Sequence, residues 1–307
     1  MIRPIEGRDF KGVIELWKKA LPEHSIDERL FYKNVLLDMN FDPQGFLVLE
    51  RAGKIVGFSW AIARRFPVDV GAPAQEDKGY LNLFVLEDEE DESGEELLKA
   101  QENYLKLKGI KKISVSGYTP NYIYPGINSR RTQHIRLLEK FGYVEQKRNY
   151  SISINLKDFE KNESIEELER ARAAEGFTVE PLSEEYVIQM LDYAPPGWTH
   201  RIRRLINETL DLGRVLVVVK DKRVIGCALF GDPYSSDERF GPYKVDEEYR
   251  GLGLGKILLY RTLMTMKERG LGRAWAQSTP SSGAAKGVYE KMGFVHTAEF
   301  ITFLKEL

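Results

Sequence analysis

The sequence predicts an α/β (α+β) chain built as two tandem copies of one fold, and three internal echoes predict it. Ile2-Arg3-Pro4-Ile5 returns as Val179-Glu180-Pro181-Leu182. The hairpin Phe46-Leu47-Val48-Leu49 and Lys54-Ile55-Val56-Gly57-Phe58 returns as Arg214–Lys220 and Arg223–Phe230, down to a Gly57/Gly226 match. Leu137-Leu138-Glu139-Lys140-Phe141-Gly142-Tyr143-Val144 returns as Val288-Tyr289-Glu290-Lys291-Met292-Gly293-Phe294-Val295. At 307 residues the chain is long for one ordinary domain and comfortable for two. The expected boundaries are 1–156 for the first copy, 157–176 for a charged joint and 177–307 for the second copy.

The elements of the second copy follow in order as βααβββαβαββ. Val179 to Leu182 opens it, and helices are expected around Tyr186–Tyr193 and His200–Asp211. Apolar runs on both arms make Arg214–Lys220 and Arg223–Phe230 a hairpin turning at Asp221-Lys222. A strand near Phe240–Val245 leads into a glycine-rich turn and the helix Lys256–Arg269. That helix is apolar almost all round, through Ile257, Leu258, Leu259, Tyr260, Leu263 and Met264, which predicts deep burial. Arg273 to Gln277 is the next strand, and Gly293 closes the following helix in the left-handed position. In the joint, Glu163 to Ala174 reads as a short solvated helix.

Composition excludes several classes. Lys plus Arg number 45 and Asp plus Glu 47, so a net charge of −2 draws the chain neither to nucleic acid nor to membrane. The longest apolar runs, such as Val215 to Val219, are strand-sized and do not span a bilayer. Met1-Ile2-Arg3-Pro4 lacks the apolar core of a signal peptide, so a cytoplasmic protein is expected. Cys227, the only cysteine, lies in the apolar strand Ile225–Leu229 and reads as core packing. His24, His134, His200 and His296 are scattered without metal-ligand spacing, so no metal is expected.

The chemistry concentrates in Val245-Asp246-Glu247-Glu248-Tyr249-Arg250-Gly251-Leu252-Gly253-Leu254-Gly255-Lys256. Alternate glycines at a helix start leave backbone N–H groups open to an anion, and the helix dipole favours negative charge there. Arg250 and Lys256 add full charges on either side. A nucleotide P-loop needs Ser or Thr after its lysine, and here Ile257 follows Lys256. A dinucleotide site needs G-x-G-x-x-G and an acid about 20 residues on; the spacing here is G-x-G-x-G before a basic, apolar helix. A ligand-free glycine turn stays open on this stretch alone.

Arg250-x-x-Gly253-x-Gly255 and its lead-in Val-Asp-x-Glu-Tyr-Arg-Gly resemble the coenzyme A loop of the GNAT superfamily of N-acyltransferases. The downstream Val288-Tyr289-Glu290-Lys291-Met292-Gly293-Phe294 resembles that family's second motif, in the right order and at a workable distance. The resemblance covers about the last 130 residues. It implies, for each copy, a mixed, mostly antiparallel sheet splayed at its central strands and flanked by helices. It implies an acetyl-CoA-dependent N-acetyltransferase acting on a primary amine of a small molecule. The cofactor-binding residues carried over are Lys244, Val245, Arg250, Gly251, Leu252, Gly253, Leu254, Gly255, Lys256, Ser282 and Tyr289. A backbone N–H near Lys244 or Val245 is to face the acetyl oxygen. Tyr289 sits where the family places a tyrosine beside the departing sulfur, either as general acid or as hydrogen-bond donor to the thiolate. The family's glutamate on the central strand falls on Arg239, which leaves the neighbouring Glu238 as the candidate base if a bulge around Gly241 restores its face. Ser282 replaces the usual Asn and doubles as a cap for the helix at Ala284. Gly241-Pro242 independently marks an edge or bulge, because proline cannot donate within a central ladder.

The first copy serves as an internal control. Where its cradle belongs it has six consecutive carboxylates, Glu87 to Glu92. Several carboxylates within about 4–6 Å of a pyrophosphate repel it by several kcal/mol even at an effective dielectric near 20. Only Gly94 remains of the glycines, and Leu138 stands where the second copy has Tyr289. The first copy is therefore expected not to hold acetyl-CoA, a layout similar to that of mycothiol synthase. The acidic run reads as a solvated loop before a helix rather than a docking site. The tyrosines of Gly117–Ile127 line either a domain contact, the preferred reading, or simply their own loop. Trp198, His200 and Tyr234 fall where such folds border the acceptor. The alternatives are a non-catalytic acyl-CoA-binding protein and a peptide or protein N-terminal acetyltransferase. A monomer is expected, with a homodimer as the alternative.

Overall fold

Each apolar run of the sequence finds a sheet to complete. In this computed structural model, which describes residues 1–66, 77–87, 92–119, 121–195, 198–280 and 284–307, the backbone alone is considered at 278–280 and 284–285. The elements run β1 (Ile2–Pro4), α1 (Phe10–Ala20), α2 (Glu28–Phe31), β2 (Phe46–Arg51), β3 (Lys54–Ala63), β4 (Lys78–Leu86), α3 (Ser93–Leu107), β5 (Lys112–Val115), β6 (Ile127–Asn128), α4 (Thr132–Lys140) and β7 (Val144–Asn155). They continue as α5 (Glu163–Ala174), β8 (Phe177–Pro181), α6 (Val187–Tyr193), α7 (Trp198–Thr209), β9 (Val215–Lys220), β10 (Arg223–Phe230), β11 (Phe240–Val245), α8 (Leu254–Glu268), β12 (Arg273–Pro280), α9 (Ala284–Met292) and β13 (Val295–Glu306). The second copy thus ends on one long strand rather than two, and α7 starts before His200.

The two units do not divide as the sequence suggested. Unit 1 is Met1–Asn149 with Ala298–Leu307, and unit 2 is Tyr150–Thr297. The boundary falls within β7 and within β13, so the last ten residues count with unit 1 and residues 150–155 with unit 2. A hydrophobic pattern cannot show this, because a strand reads the same whichever sheet it joins. The segment 157–176 is no separate joint either. Its helix α5 is capped by Asn162 and buries Ile165, while Glu169 pairs with Arg261 of α8. One face of the supposed solvated helix is core.

In unit 1 the order is β1-β2-β3-β4-β5, antiparallel up to β4, with β4 and β5 parallel from Lys78↔Lys112 to Leu81↔Val115. The C-terminal part of β13 lies beside β5, Phe303 opposite Val115. Tyr118 is fully buried; its hydroxyl donates to Asp38 and accepts from Asn40. Tyr124 packs on His24 and Phe300. These tyrosines are the unit's own core, which corrects the domain-contact reading. Proline-rich loops place aromatics inside or outside with equal ease, and only packing decides.

Unit 2 has an antiparallel sheet in the order β11-β10-β9-β8. Both faces are buried, which explains the continuous valine run. Leu216 and Val218 join the core with α8, whereas Val215, Val217 and Val219 join the core with α6 and α7. The β9–β10 hairpin turns at Asp221-Lys222, both left-handed at φ 49° and 61°. Cys227 lies in the α6–α7 core, and burial pushes its thiol up to about 12, so it is an inert packing residue.

Candidate functional site

β11 is where the sheet of unit 2 stops. On one side it pairs with β10, from Gly226↔Val245 to Phe230↔Phe240, and the register shifts between Ala228 and Phe230. The extra residue lies on the β11 side, at Gly241-Pro242, where the sequence called for an irregularity; Gly241 has φ 86°. On its other side β11 meets β12 at a single parallel bridge, Arg239↔Trp275. Beyond that bridge its outer edge carries no strand pairing among the described residues.

The alternation of the strand says which groups face this open edge. Asp246 N–H donates to the Ile225 carbonyl of β10 at 2.9 Å. Neighbouring residues point their N–H groups to opposite sides. Val245 N–H therefore faces the open edge and Lys244 N–H faces β10. Of the two expected donors, only Val245 is placed at the gap. The Lys244 side chain lies on the α6 face, 3.5 Å from Asp246 and over the Tyr193 ring.

After β11 the chain turns through Glu247–Tyr249 into the glycine loop. Gly251 and Gly253 both have φ near 80°, at 86° and 78°, a conformation that glycine adopts at no steric cost. Their surroundings differ. A side chain at Gly251 would meet nothing within 4 Å. One at Gly253 would lie 2.6 Å from Leu168 of α5, and one at Gly255 would lie 3.3 Å from the Tyr243 hydroxyl. Only Gly251 thus leaves open space; the other two make room for neighbours of the site. Gly253 caps α8 without a side-chain hydrogen bond, and no acid occupies the first turn. Leu254 is buried and Leu252 packs on the same core. Lys256 is half-buried, while Arg250 is exposed and pairs with Glu247. Ser282 lies outside the described residues.

Tyr289, on α9, is 9 % exposed and set among Phe240, Tyr243 and Phe294. Burial, with the neighbouring Tyr243, raises its pKa well above the ordinary tyrosine value. Tyr243 is the candidate residue that sequence reasoning missed. Its ring centroid lies 5.8 Å from that of Tyr289, its hydroxyl lies against Gly255, and burial pushes it up to about 12. The signal was available: Tyr243 precedes Val245 by two residues and so shares its face of the strand.

Glu238 is not brought to this pair. Its carboxylate accepts from Arg273 at 2.6 Å, and its carbonyl accepts from Trp275 N–H. The bulge at Gly241 lies after Glu238 and does not turn it inward. Tyr234 carries the Arg204 guanidinium at 3.8 Å, and Trp198 packs on the α6–α7 core.

Comparison with known proteins agrees with this geometry. Residues 179–294 match the model of the acetyltransferase (GNAT) family. No curated protein matches the chain significantly. Among solved structures, the GCN5-related glucosamine N-acetyltransferase region of a fungal multi-domain GH3 β-N-acetylglucosaminidase has a TM-score of 0.79 at 14 % identity; the match covers 99 % of this chain, which spans 38 % of that larger protein. A GCN5-related N-acetyltransferase from Sphaerobacter thermophilus has a TM-score of 0.72 at 15 % identity, over 100 % of this chain and 95 % of that one. A tandem GNAT protein from the clavulanic acid biosynthesis pathway has a TM-score of 0.66 at 12 % identity, over 100 % and 98 %. These low identities speak for the fold, and the fold extends over both units. Unit 2 thus carries the match to the acetyltransferase (GNAT) family, and the fold of the whole chain is similar to that of a tandem GNAT protein.

Proposed function

We propose that unit 2 is an acetyl-CoA-dependent N-acetyltransferase that acetylates a primary amine of a small molecule by direct attack on the thioester. The observation that carries this reading is the open edge of β11, with Val245 N–H facing the gap and the uncapped start of α8 beside it. Acetyl-CoA, when bound, supplies the acetyl thioester. The residues fit such a ligand: the N–H groups at the start of α8, with Arg250 and Lys256, suit a pyrophosphate. Gly251 leaves space for it.

Val245 N–H is the donor for the negative charge that grows on the acetyl oxygen, a role in which a fixed backbone dipole costs no reorganisation. Tyr289 is the group for the departing sulfur. An ordinary tyrosine, at roughly 10, is already a weaker acid than a thiol at roughly 8.5, by about 2 kcal/mol. Burial raises Tyr289 further. Its role is therefore to hold the thiolate by a hydrogen bond rather than to surrender its proton. Tyr243 supports the ring of Tyr289 and fills the space beside Gly255. With Glu238 held by Arg273, the amine attacks in its neutral form and loses its proton to water.

The test is a calorimetric titration of acetyl-CoA followed by thiol release over a panel of amines. One site per chain and amine-dependent release are expected. Absence of binding overturns the reading. Binding with release that no amine accelerates points to the non-catalytic alternative.

A further inference from the structure

Three arginines converge on one carboxylate beside the site. Asp232, in the loop after β10, is 3 % exposed. Its carboxylate accepts from Arg239 Nη1 at 2.9 Å and from Arg204 Nη2 at 3.1 Å, and Arg201 Nε lies 3.8 Å away. Arg201 and Arg204 come from α7, and Arg239 is the residue before β11. Burial alone would raise Asp232, but the three guanidinium groups bring it down to about 2, so it is ionised. Burial and the repulsion of Arg239 and Arg204, opposed by Asp232, leave Arg201 at about 9, still charged at neutral pH.

Among the described residues, Asp232 is the acid that acts on Arg201. Nε and Nη2 of Arg201 are buried and have no hydrogen-bond partner among the described residues. The indole Nε1 of Trp275 is a third such donor, on the residue that bridges Arg239. All three orphaned groups are donors. Buried donors and uncompensated charge are costly, so each calls for an acceptor that the described residues do not supply. Solvent still reaches 16 % of the Arg201 side chain, which leaves an approach. Phe240, next to Arg239, packs against the Tyr289 ring, so the cluster borders the reacting site.

We propose that Arg201, with Arg204 and Arg239, recognises an anionic group, carboxylate or phosphate, on the acceptor amine. The assignment rests on the acetyltransferase reading above and narrows its acceptor to small amines that carry a negative group. Arg239 precedes Tyr243 by four residues, at most roughly 13 Å of strand, so amine and anion belong to one short molecule. A guanidinium fork suits either anion by paired N–H donation.

The experiment uses the full chain and Arg201→Gln. In thermal scans against chloride at equal ionic strength, acetate and inorganic phosphate separate the two anions. The one recognised is expected to raise the melting temperature of the wild type and to do so less in the variant. The unliganded variant is expected to melt no lower than wild type, because an uncompensated charge is gone. In acetyl transfer, 6-aminohexanoate is compared with 6-aminohexanamide, and glucosamine 6-phosphate with glucosamine. At least one anionic member is expected to exceed its neutral partner about tenfold in kcat/KM, the scale of one charge-assisted contact. Arg201→Gln is expected to abolish that preference through KM, and Arg201→Lys to restore part of it. Equal use of both members of each pair, or no anion stabilising the wild type, overturns the proposal. Failure of the acetyltransferase reading looks different: acetyl-CoA does not bind, while the anion shift persists.

Discussion

At the start of α8, unit 2 presents Gly253-Leu254-Gly255-Lys256 with no acid in the first turn. At the start of α3, unit 1 presents Glu92 as the cap, with Glu95 and Glu96 in the first turn. The frames around these helices are alike. Gly57 pairs with Leu86 and Ser59 with Phe84, just as Gly226 pairs with Val245 and Ala228 with Tyr243. That register makes Phe84 the counterpart of Tyr243, while Leu138 is the counterpart of Tyr289. Both hydroxyls of unit 2 are hydrocarbon in unit 1, where Phe84 and Leu138 belong to the core. The strands splay at matching places: β4 stays paired with β5 from Lys78 to Leu81, the counterpart of Phe240, and among the described residues β11 meets β12 at Arg239. Between the copies the packing and the splay of the fold are kept, while the cationic glycine loop and both hydroxyls are not. Packing is what holds either copy together; the loop and the hydroxyls are what the proposed chemistry needs.

The comparison can be broken most directly at Tyr289. Tyr289→Phe is expected to lower kcat about 100-fold, the lower end for loss of one hydrogen-bond donor to developing charge, with acetyl-CoA affinity unchanged in a calorimetric titration. Leu138→Tyr in unit 1 is expected to add neither turnover nor a second binding site. Unchanged turnover in Tyr289→Phe removes the tyrosine from the reaction.

A smaller effect is expected at the glycines. Gly253→Ala forces a side chain into left-handed backbone, about 1–2 kcal/mol, and into Leu168. Thermal unfolding and acetyl-CoA affinity are both expected to suffer. Gly94→Ala lacks the backbone strain and meets the tips of two flexible side chains, Leu86 and Leu137, so less than about 1 kcal/mol is expected. Equal costs at the two positions would mean that the cradle glycine has no special geometry.

Arg250→Ala is expected to weaken acetyl-CoA about fivefold, as one exposed charge in contact with a phosphate. The titration should show one site per chain. Two sites would mean that unit 1 is not silent.

The smallest effects concern pH. Asp232 has its folded pKa depressed to about 2, so its stabilising contribution is present above the ordinary carboxylate range and is lost as pH falls toward 2. Asp232→Asn should therefore flatten the acid limb of a melting-temperature profile. Tyr243 at about 12 and Tyr289 beyond the ordinary range remain protonated, so turnover should rise with amine deprotonation and show no fall from tyrosine ionisation below about pH 10.

Much of this was legible in the residues. The Gly57/Gly226 echo reflects one cause in both copies: a side chain at either position would strike the neighbouring strand, at 3.0 Å from Leu86 and 2.9 Å from Val218. The pairing of Gly241-Pro242 signalled the bulge because proline has no donor to give. Glu238 was a reasonable candidate by spacing and is paired with Arg273, a partner that spacing does not reveal. Tyr243 was missed although its alternation with Val245 was plain.

The sequence by itself determined the duplication, the strands and helices, the glycine loop and the loss of that loop in the first copy. Each is written in local pattern: period, turn chemistry or charge within a few residues. Only the tertiary structure decided that Val245 rather than Lys244 faces the gap, that Leu168 explains Gly253, and that Arg201, Arg204 and Arg239 gather on Asp232. Those outcomes depend on residues as far as 85 positions apart meeting in space, and no local pattern encodes such a meeting.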